Sequence, residues 1–296
     1  AYNAAATLRQ SLDSIRASEG VRYEIVIVDD ASTDDTPKIA SEAGCRVLSM
    51  RRNILSANCR NRGAEVARGE IVVFFDADQL MLPDTLRRYR DALREHPDVD
   101  AVVGSFVPDT PIPGFFSRFK NFQHHYTHQS ADPEGATLAS GLMAIRRDMF
   151  LAIGGFEPAF SGASIEDIAL GYRMVRAGHR IRFERTIKMV HLKGYTLRQM
   201  VRSDILHRAI PWTGLMLRER FFRSDLNTGS SNVLSVVLAW LIPLVMIAGF
   251  FWRPAWLGLA ILPLLIALLN RGMLGAARRE FGAWFALRAA AFLPLM

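Results

Sequence analysis

The sequence predicts an α/β domain, with a mostly parallel sheet flanked by helices, followed by C-terminal transmembrane helices. Short apolar runs alternate with amphipathic segments as far as Val107. This alternation is typical of strands joined by right-handed helical crossovers. Half of the 296 residues are hydrophobic, which suits one sizeable α/β domain and a further apolar region. The stretch 233–252 has no charged residue and is long enough to cross a bilayer of about 30 Å as a helix.

The first elements follow one another at regular intervals. Leu8, Leu12 and Ile15 recur at helical spacing and predict an amphipathic helix that ends near Gly20. The apolar runs after it predict strands at 24–28, 46–50, 71–75 and 101–107. Helices are expected between them, over 34–44, over 57–67 and from Pro83 onward.

The alternation stops after Val107. Three prolines precede Gly114, and aromatic side chains are mixed with Lys and Arg from 115 to 126. This composition suits an interfacial segment or a substrate lid, with a packed loop as the alternative. Regular structure is predicted again as a strand over 139–146, helices over 148–152 and 165–177, and short strands at 180–184 and 187–191. Two amphipathic helices, 196–207 and 211–222, then lead to the first long apolar stretch.

Three apolar stretches, 233–252, 255–270 and one that begins near 283, predict a membrane region. A buried hairpin of core helices is the alternative. Basic residues lie before the first stretch and between the second and third: Arg218, Arg220, Arg223, Arg271, Arg278 and Arg279. Because basic residues favour the cytoplasmic side, we expect a multi-pass protein of the inner cell membrane. Its α/β domain, 1–195, would be cytoplasmic and joined by interfacial helices, 196–231, to the membrane region, 232–296.

The net charge of the chain indicates which partners to expect, and its cysteine content indicates the compartment. A net charge of +7 fits a protein that lies on anionic lipid and handles anionic substrates. Nucleic acid is not expected, because the chain has no zinc-knuckle spacing and no basic stripe with interleaved aromatics. Cys45 and Cys59 are the only cysteines, so a reducing compartment is expected.

Two acidic pairs fall where an α/β sheet carries chemistry. Asp76 and Asp78 follow the strand 71–75 and point to the same side, about 6 to 7 Å apart at the backbone. Carboxylates beyond the carboxyl end of a strand suit Mg²⁺ or Mn²⁺, and a solvated turn is the alternative. Glu166 and Asp167 open the helix 165–177, where the helix dipole favours acids whatever their role.

Six motifs together point to a family. They are Ala1-Tyr2-Asn3, Val28-Asp29-Asp30-Ala31-Ser32-Thr33-Asp34, Arg60-Asn61-Arg62-Gly63, Phe75-Asp76-Ala77-Asp78, Gly154-Gly155-Phe156 and Ile165-Glu166-Asp167-Ile168. In this order the chain resembles the inverting family 2 glycosyltransferases, over about residues 1–195. The resemblance implies a GT-A fold, which is Rossmann-like, and a nucleotide diphospho-sugar as the donor. A family member would have a further strand, the first and central one of its sheet, just before Ala1, so we expect the chain to be a fragment.

The resemblance implies the residues that bind the nucleotide. Tyr2 is expected near the base, and Asp29 or Asp30 is expected to recognise it. A loop cap is the alternative role for Asp30. Arg60 and Arg62 are expected to meet the diphosphate, because guanidinium groups match phosphate oxygens. A solvated helix charge is the alternative for one of them.

The resemblance also implies the catalytic and metal residues. Asp76 and Asp78 match the D-x-D motif, which binds the donor diphosphate through Mg²⁺ or Mn²⁺ and assists the leaving group. His191 is expected to be a third metal ligand, with a structural histidine as the alternative. Inversion needs one base opposite the leaving group. That base would be Asp167, with Glu166 bracing the site or touching the acceptor.

The residues after the α/β domain bear on the acceptor. Gln199 and Arg202 lie in a sequence similar to the Q-x-x-R-W signature of processive polysaccharide synthases, but Ser203 replaces the tryptophan. Trp212 could take its place from a neighbouring helix.

Our leading hypothesis is transfer of a single sugar, from UDP in preference to GDP, to a lipid-linked or polyprenyl-phosphate acceptor at the cytoplasmic membrane face. A processive synthase of the cellulose or hyaluronan type is the enzymatic alternative. An inactive nucleotide-binding membrane scaffold is the alternative of another class. The sequence leaves the sugar and the oligomeric state open.

Overall fold

The structure, a computed structural model, describes residues 1–158, 165–220, 226 and 229–295. Its first elements are α1 (Ala5–Arg16), β1 (Val26–Asp29), α2 (Thr36–Glu42), β2 (Arg46–Ser49), α3 (Leu55–Val66), β3 (Ile71–Phe74), β4 (Gln79–Met81), α4 (Thr85–Glu95) and β5 (Ala101–Phe106). They are followed by α5 (Phe115–Ser130), β6 (Glu134–Gly135), β7 (Met143–Arg146), α6 (Arg147–Ala152), α7 (Glu166–Arg176) and β8 (Ile181–His191).

The strands form two sheets. β1 and β2 make a parallel pair, and the larger sheet has the order β3-β7-β5-β8-β4, with β6 attached to β8. The predicted α/β class is confirmed. The larger sheet is mixed rather than mostly parallel, because β7 lies antiparallel to both β3 and β5 and β8 lies antiparallel to β4. Within this sheet only the β5–β8 pair is parallel among the described strands.

A cavity of about 1060 Å³ separates the two sheets, lined by residues of both β1 and β3. Ala1 lies at its edge: its amino group donates to the carbonyl oxygen of Val28 over 2.7 Å. The Asp30 N–H in turn donates to the Ala1 carbonyl oxygen over 2.8 Å. This alternation is the hydrogen-bond pattern of a residue paired with a parallel strand. The strand expected before Ala1 stays a prediction.

The segment predicted as a lid or loop is instead a 16-residue helix, α5. Helix α5 is covered on two sides. It packs on β5 and also against helices from the end of the chain. Phe119 and Phe122 are in the same apolar cluster as Phe285 and Met273. Aromatics that looked interfacial in the sequence therefore form a packing face. The two short strands predicted over 180–191 are one strand, β8, whose register shifts opposite β5 between Val103 and Ser105.

The rest of the described chain is helical. Its helices are α8 (Leu197–Asp204), a π-helical turn (Ile205–Ala209), α9 (Ile210–Glu219), α10 (Ser230–Phe251), α11 (Gly258–Leu269), α12 (Arg271–Phe281) and α13 (Ala283–Phe292), with 3₁₀ turns at Arg253–Leu257 and Leu293–Leu295. α8, the π-helical turn and α9 follow one another without a gap, where the sequence predicted two separate helices.

Among the described helices, one is long and apolar enough to cross a membrane, at Ser231–Phe251. A second qualifies only if Arg253–Leu269 and Arg271–Phe281, which meet at a bend of 75°, form one span. The third predicted span is not supported, because α13 has 10 residues and covers only about 15 Å. The multi-pass prediction is therefore not supported. Arg223, one of the basic residues that predict the orientation in the membrane, lies outside the described residues.

Candidate active site

Arg60 joins the two acidic pairs that the sequence singled out. It projects from α3 between Asp76, which follows β3, and Glu166, the first residue of α7. Its Nη2 donates to Oδ1 of Asp76 over 2.7 Å, and its Nη1 donates to Oε1 of Glu166 over 3.2 Å. The Phe156 ring lies 5.7 Å from the guanidinium carbon, which adds a cation–π contact. Residues separated by about a hundred positions in the chain thus form one site.

The guanidinium of Arg60 controls the charge of Asp76. Burial alone would raise the pKa of Asp76, but the positive charge and hydrogen bond of Arg60 outweigh it and hold the pKa below its usual value. Asp76 is therefore ionised at neutral pH. Its Oδ1 is used by Arg60, which leaves Oδ2 for another partner.

Asp167 has the properties of a general base. Burial, and then the negative charge of Glu166, raise the pKa of Asp167 to about 6. Its Oδ2 accepts a hydrogen bond from the Ser140 N–H over 3.0 Å, which orients the carboxylate. A carboxylate with a pKa near 6 is still ionised at neutral pH and binds a proton more strongly than an ordinary aspartate.

Asp78 and His191 face each other beside this site. His191 Nε2 lies 3.9 Å from Oδ2 of Asp78. Its ring stacks on Phe106 with centroids 4.6 Å apart. Burial is the main cause that lowers the pKa of His191, so the imidazole is neutral and has a lone pair for a metal ion.

The donor atoms at this edge fit a divalent cation in part. Two ligands of one cation can lie about 4 Å apart, since each is roughly 2.1 Å from the metal, and Asp78 and His191 satisfy this limit. Oε1 of Gln79 is buried without a hydrogen-bond partner among the described residues, which leaves one more oxygen nearby. Within the described part of the chain, however, no group of three or more His, Cys, Asp or Glu side chains is arranged to hold a metal. The protein alone offers an incomplete set of ligands.

Gly141 is a site residue that the sequence reading missed. A Cβ at this position would lie 2.4 Å from Oδ2 of Asp76 and 2.6 Å from Nε2 of Gln79. Only glycine lets the loop before β7 approach these side chains so closely. The preceding residue, Ser140, is the one that orients Asp167. A Ser-Gly pair directly before the apolar run that begins at Leu142 was the available signal.

Asp30 positions α3 rather than facing an open pocket. Its two carboxylate oxygens accept the N–H groups of Ile54 and Leu55, over 2.6 and 3.0 Å. Leu55 has a φ of 71°, a strained conformation for this residue type that the two hydrogen bonds help to hold. Asp30 thus acts as a cap, as its alternative role proposed, but for the start of α3 and not for α2, the helix that directly follows it. Asp29 is buried beside it, and Tyr2 is 53% exposed.

Comparison with known proteins decides the family. Residues 1–154, more than half of the chain, match the family model described as Glycosyl transferase family 2. The chain belongs to this family. Residues 120–194 also match a second model, the N-terminal domain of galactosyltransferase.

Two similar proteins and one solved structure extend this family 2 assignment. The succinoglycan biosynthesis protein ExoO of Rhizobium meliloti is 38% identical over 91 residues, 30% of this chain and 26% of ExoO. The glucosyl-dolichyl phosphate glucuronosyltransferase of Haloferax volcanii is 26% identical over half of each chain. The mannosyltransferase PcManGT of Pyrobaculum calidifontis, solved with GDP-Man and Mn²⁺, superposes with a TM-score of 0.64 and 21% identity over all of this chain and 85% of that one. The GT-A fold is confirmed, and the chain spans about a quarter to a half of these two relatives.

The structure turns Arg62 of this family 2 glycosyltransferase away from the site. Arg62 lies two positions beyond Arg60 on α3, about 200° around the helix axis. It is exposed and pairs with Glu65 over 2.9 Å. These contacts are those of a solvated helix charge, the alternative given for one of the two arginines, and the role of Arg62 at the diphosphate stays a prediction.

The three acceptor candidates are not brought together. Gln199 forms the capping box of α8 with Thr196, and Arg202 is exposed on the same helix. Trp212 is buried, and its Nε1 donates to the Tyr172 hydroxyl over 2.9 Å. The indole packs behind α7, and the expectation that Trp212 stacks on a sugar stays a prediction. The indole supports the helix that carries Asp167.

Proposed function

We propose that this family 2 glycosyltransferase moves one sugar, with inversion, from a nucleotide diphospho-sugar to a hydroxyl group of a lipid-linked acceptor. The observation that carries the proposal is the bridge from Asp76 through Arg60 to Glu166. Arg60 lies between Asp76 and Glu166, which supports a site with donor-side acids on one side and the proposed base Asp167, next to Glu166, on the other. An inverting transfer needs this arrangement, because the nucleophile and the leaving group act on opposite sides of the anomeric carbon.

In the proposed reaction, Asp167 takes the proton of the acceptor hydroxyl as its oxygen attacks the anomeric carbon. A carbon–oxygen bond forms there, and the bond from the same carbon to the donor phosphate oxygen breaks. The nucleoside diphosphate leaves with the electron pair of that bond. A phosphate oxygen is already ionised and needs no base, so the raised pKa of Asp167 favours a hydroxyl nucleophile over polyprenyl phosphate itself.

On the donor side, Asp78, His191 and the free Oδ2 of Asp76 are the groups that would hold Mg²⁺ or Mn²⁺. The cation would neutralise negative charge on the departing diphosphate, whose oxygens would complete its ligand set. Arg60 keeps Asp76 ionised for this role. We expect UDP as the nucleotide. GDP is the alternative, and the similar mannosyltransferase was solved with GDP-Man.

The proposed acceptor is a lipid because of α10. Only 6% of its most apolar 18-residue stretch is buried. Trp240, Phe250 and Phe251 are 70%, 80% and 88% exposed. A continuous apolar surface of this kind is rare on a protein surrounded by water, so we place α10 in the bilayer and the α/β domain on the cytoplasmic side. One similar protein is named as a glucuronosyltransferase of glucosyl-dolichyl phosphate, which supports a lipid-linked acceptor.

The test is a transfer assay on the full chain with UDP- and GDP-sugars, Mn²⁺ or Mg²⁺, and lipid-linked sugars as acceptors. Asp167→Asn should abolish transfer and leave donor binding unchanged. Asp148→Asn makes the same change on a fully exposed side chain and should have no effect. If Asp167→Asn transfers sugar at the wild-type rate, Asp167 is not the base. If the wild type transfers no sugar to any lipid-linked acceptor, the scaffold alternative replaces this proposal.

A further inference from the structure

A group of basic and imidazole side chains lies between α5 and the π-helical turn, and the proposed reaction does not use it. Lys120, His124 and His128 recur every four residues and therefore lie on one face of α5. Lys120 Nζ lies 2.6 Å from each carboxylate oxygen of Asp204, the last residue of α8. Arg208 follows Asp204 by four residues. The buried Lys120–Asp204 ion pair therefore joins α5 to the end of α8, where the π-helical turn begins.

The charge of Arg208 acts on this face of α5. Its positive charge contributes to lowering the pKa of Lys120, of His124 and of His128, after the larger effect of burial. The same charge acts on the proposed base, where it opposes the raised pKa of Asp167. Arg208 therefore lies within electrostatic range of both the imidazole pair and the base.

Several of these groups lack the partners that such groups normally have. Nε2 of His124 and Nδ1 of His128 are buried and have no hydrogen-bond partner among the described residues. Buried polar atoms are nearly always paired in folded proteins. Arg208 is partly buried, yet no described carboxylate lies within ion-pair distance of it. Nε2 of His124, and a guanidinium with no carboxylate partner among the described residues, are groups that an anion would bind.

The position of the group relates it to the acceptor. His124 and His191 both stack on the Phe106 ring, with centroids 6.1 and 4.6 Å from it. The group is therefore one aromatic ring away from the proposed metal side and within range of Asp167. Donor phosphates belong at Asp76 and Asp78, so an anion bound here would belong to the other substrate.

The π-helical turn that carries Arg208 also carries exposed apolar side chains. Ile205, Leu206 and the adjoining Ile210 are 38%, 52% and 60% exposed. π-helical turns are rare and occur frequently at functional sites. A cationic pocket flanked by apolar side chains suits a molecule that joins a phosphate to a hydrocarbon chain.

We propose that Arg208, together with His124, binds the phosphate group of the lipid-linked acceptor. The guanidinium would bind two phosphate oxygens at once, and the neutral imidazole of His124 would donate its Nε2–H to a third. His128 hydrogen-bonds the Gly104 backbone through its other nitrogen, so its neutral ring only borders the site. The ion pair of Lys120 with Asp204 positions the two helical segments, and Ile205, Leu206 and Ile210 contact the first part of the hydrocarbon chain. This inference rests on the proposed lipid acceptor.

The experiment measures binding without sugar transfer. The full chain in detergent micelles is titrated with polyprenyl phosphate, with the uncharged polyprenol of equal length, with phosphatidylglycerol and with inorganic phosphate. Binding is followed by the fluorescence of the native tryptophans. We expect the wild type to prefer polyprenyl phosphate over polyprenol by about ten- to a hundredfold, the range of charge-assisted hydrogen bonds. Phosphatidylglycerol and inorganic phosphate should bind more weakly.

Arg208→Gln should remove the preference for polyprenyl phosphate, and Arg208→Lys, which keeps the charge but loses the planar fork, should reduce it in part. Arg198→Gln removes the same charge from an exposed position on α8 and should leave the preference unchanged. The proposal is overturned if the wild type binds polyprenol or phosphatidylglycerol equally well, or if Arg208→Gln keeps the preference. Should Arg208→Gln fail to fold, an unreduced preference in Arg208→Lys has the same meaning.

The outcome also separates this site from the proposed function. Selective binding through Arg208 without any transfer to lipid-linked sugars would retain the phosphate site and reject the proposed reaction. Transfer with an acceptor KM that Arg208→Gln leaves unchanged would reject the phosphate site and retain the reaction.

Discussion

Arg60 donates a hydrogen bond to Asp76 over 2.7 Å, so the arginine expected at the diphosphate is bound to an acid expected at the metal. The same arginine holds Glu166, next to the base. A change at either acidic pair is therefore transmitted to the other through a single side chain.

Arg60→Gln should destabilise the protein strongly. It leaves Glu166, only 4% exposed, without its positive partner, and breaking a buried ion pair costs about 3 kcal/mol or more. Arg62→Gln is the matched control, because the Arg62–Glu65 pair is exposed and worth less than about 1 kcal/mol. Thermal unfolding in detergent compares the two. Equal melting temperatures would show that Arg60 is not a structural link.

The rate of transfer should fall below about pH 6. Burial and Glu166 raise the pKa of Asp167 to about 6, so the base becomes protonated as the pH drops through this value and kcat/KM decreases. Glu166→Gln removes the neighbouring negative charge and should move the acidic limb to lower pH. The pH profile of kcat/KM measures both effects. If kcat/KM of the wild type fell only near pH 4, as expected for an ordinary aspartate, Asp167 with its raised pKa would not be the base.

Gly141→Ala should impair the site directly. The added methyl group would lie 2.4 Å from Oδ2 of Asp76, so we expect a loss of about 1–3 kcal/mol of stability and weaker activation by Mn²⁺. Gly214→Ala is the control, because α9 leaves open space there and alanine favours a helix by about 1 kcal/mol. Melting temperatures and the Mn²⁺ concentration for half-maximal activity are measured together. A harmless Gly141→Ala would mean that the loop is not held against Asp76.

Trp212→Phe should lower stability and leave acceptor binding unchanged. The substitution removes the hydrogen bond to Tyr172 and part of a buried side chain, at a cost of about 1–2 kcal/mol. Melting temperature and acceptor KM are the two measurements. A large rise in acceptor KM at an unchanged melting temperature would instead support the stacking role expected from the sequence.

Removal of divalent cations with a chelator should abolish transfer, and Mn²⁺ or Mg²⁺ should restore it. Asp78→Asn weakens one proposed ligand, so we expect a requirement for about 10–100 times more metal, by analogy with ligand-shell substitutions. Asp148→Asn again serves as the exposed control. Full activity in the presence of chelator would remove the metal from the proposal.

Local sequence patterns predict much of this site. The strand before them locates Asp76 and Asp78 at the sheet edge, because this pattern depends only on neighbouring residues, whereas the role expected of Asp167 comes from the family resemblance. Which way Arg60 and Arg62 point, and that Trp212 is buried, depend on contacts between segments far apart in the chain. The helix α5 was missed for the same reason, since the aromatic partners of Phe119 come from the last part of the sequence.

α5 also sets a limit on how the enzyme can be shortened. Phe115 contacts Phe285 with ring centroids 5.1 Å apart, and Phe122 contacts Phe281 at 5.5 Å. A chain cut before α10 to improve expression would expose this aromatic face to water while its other side still packs on the sheet. Such a truncated protein would self-associate through α5. The terminal helices are thus part of the catalytic body, and detergent is the medium in which it should be purified.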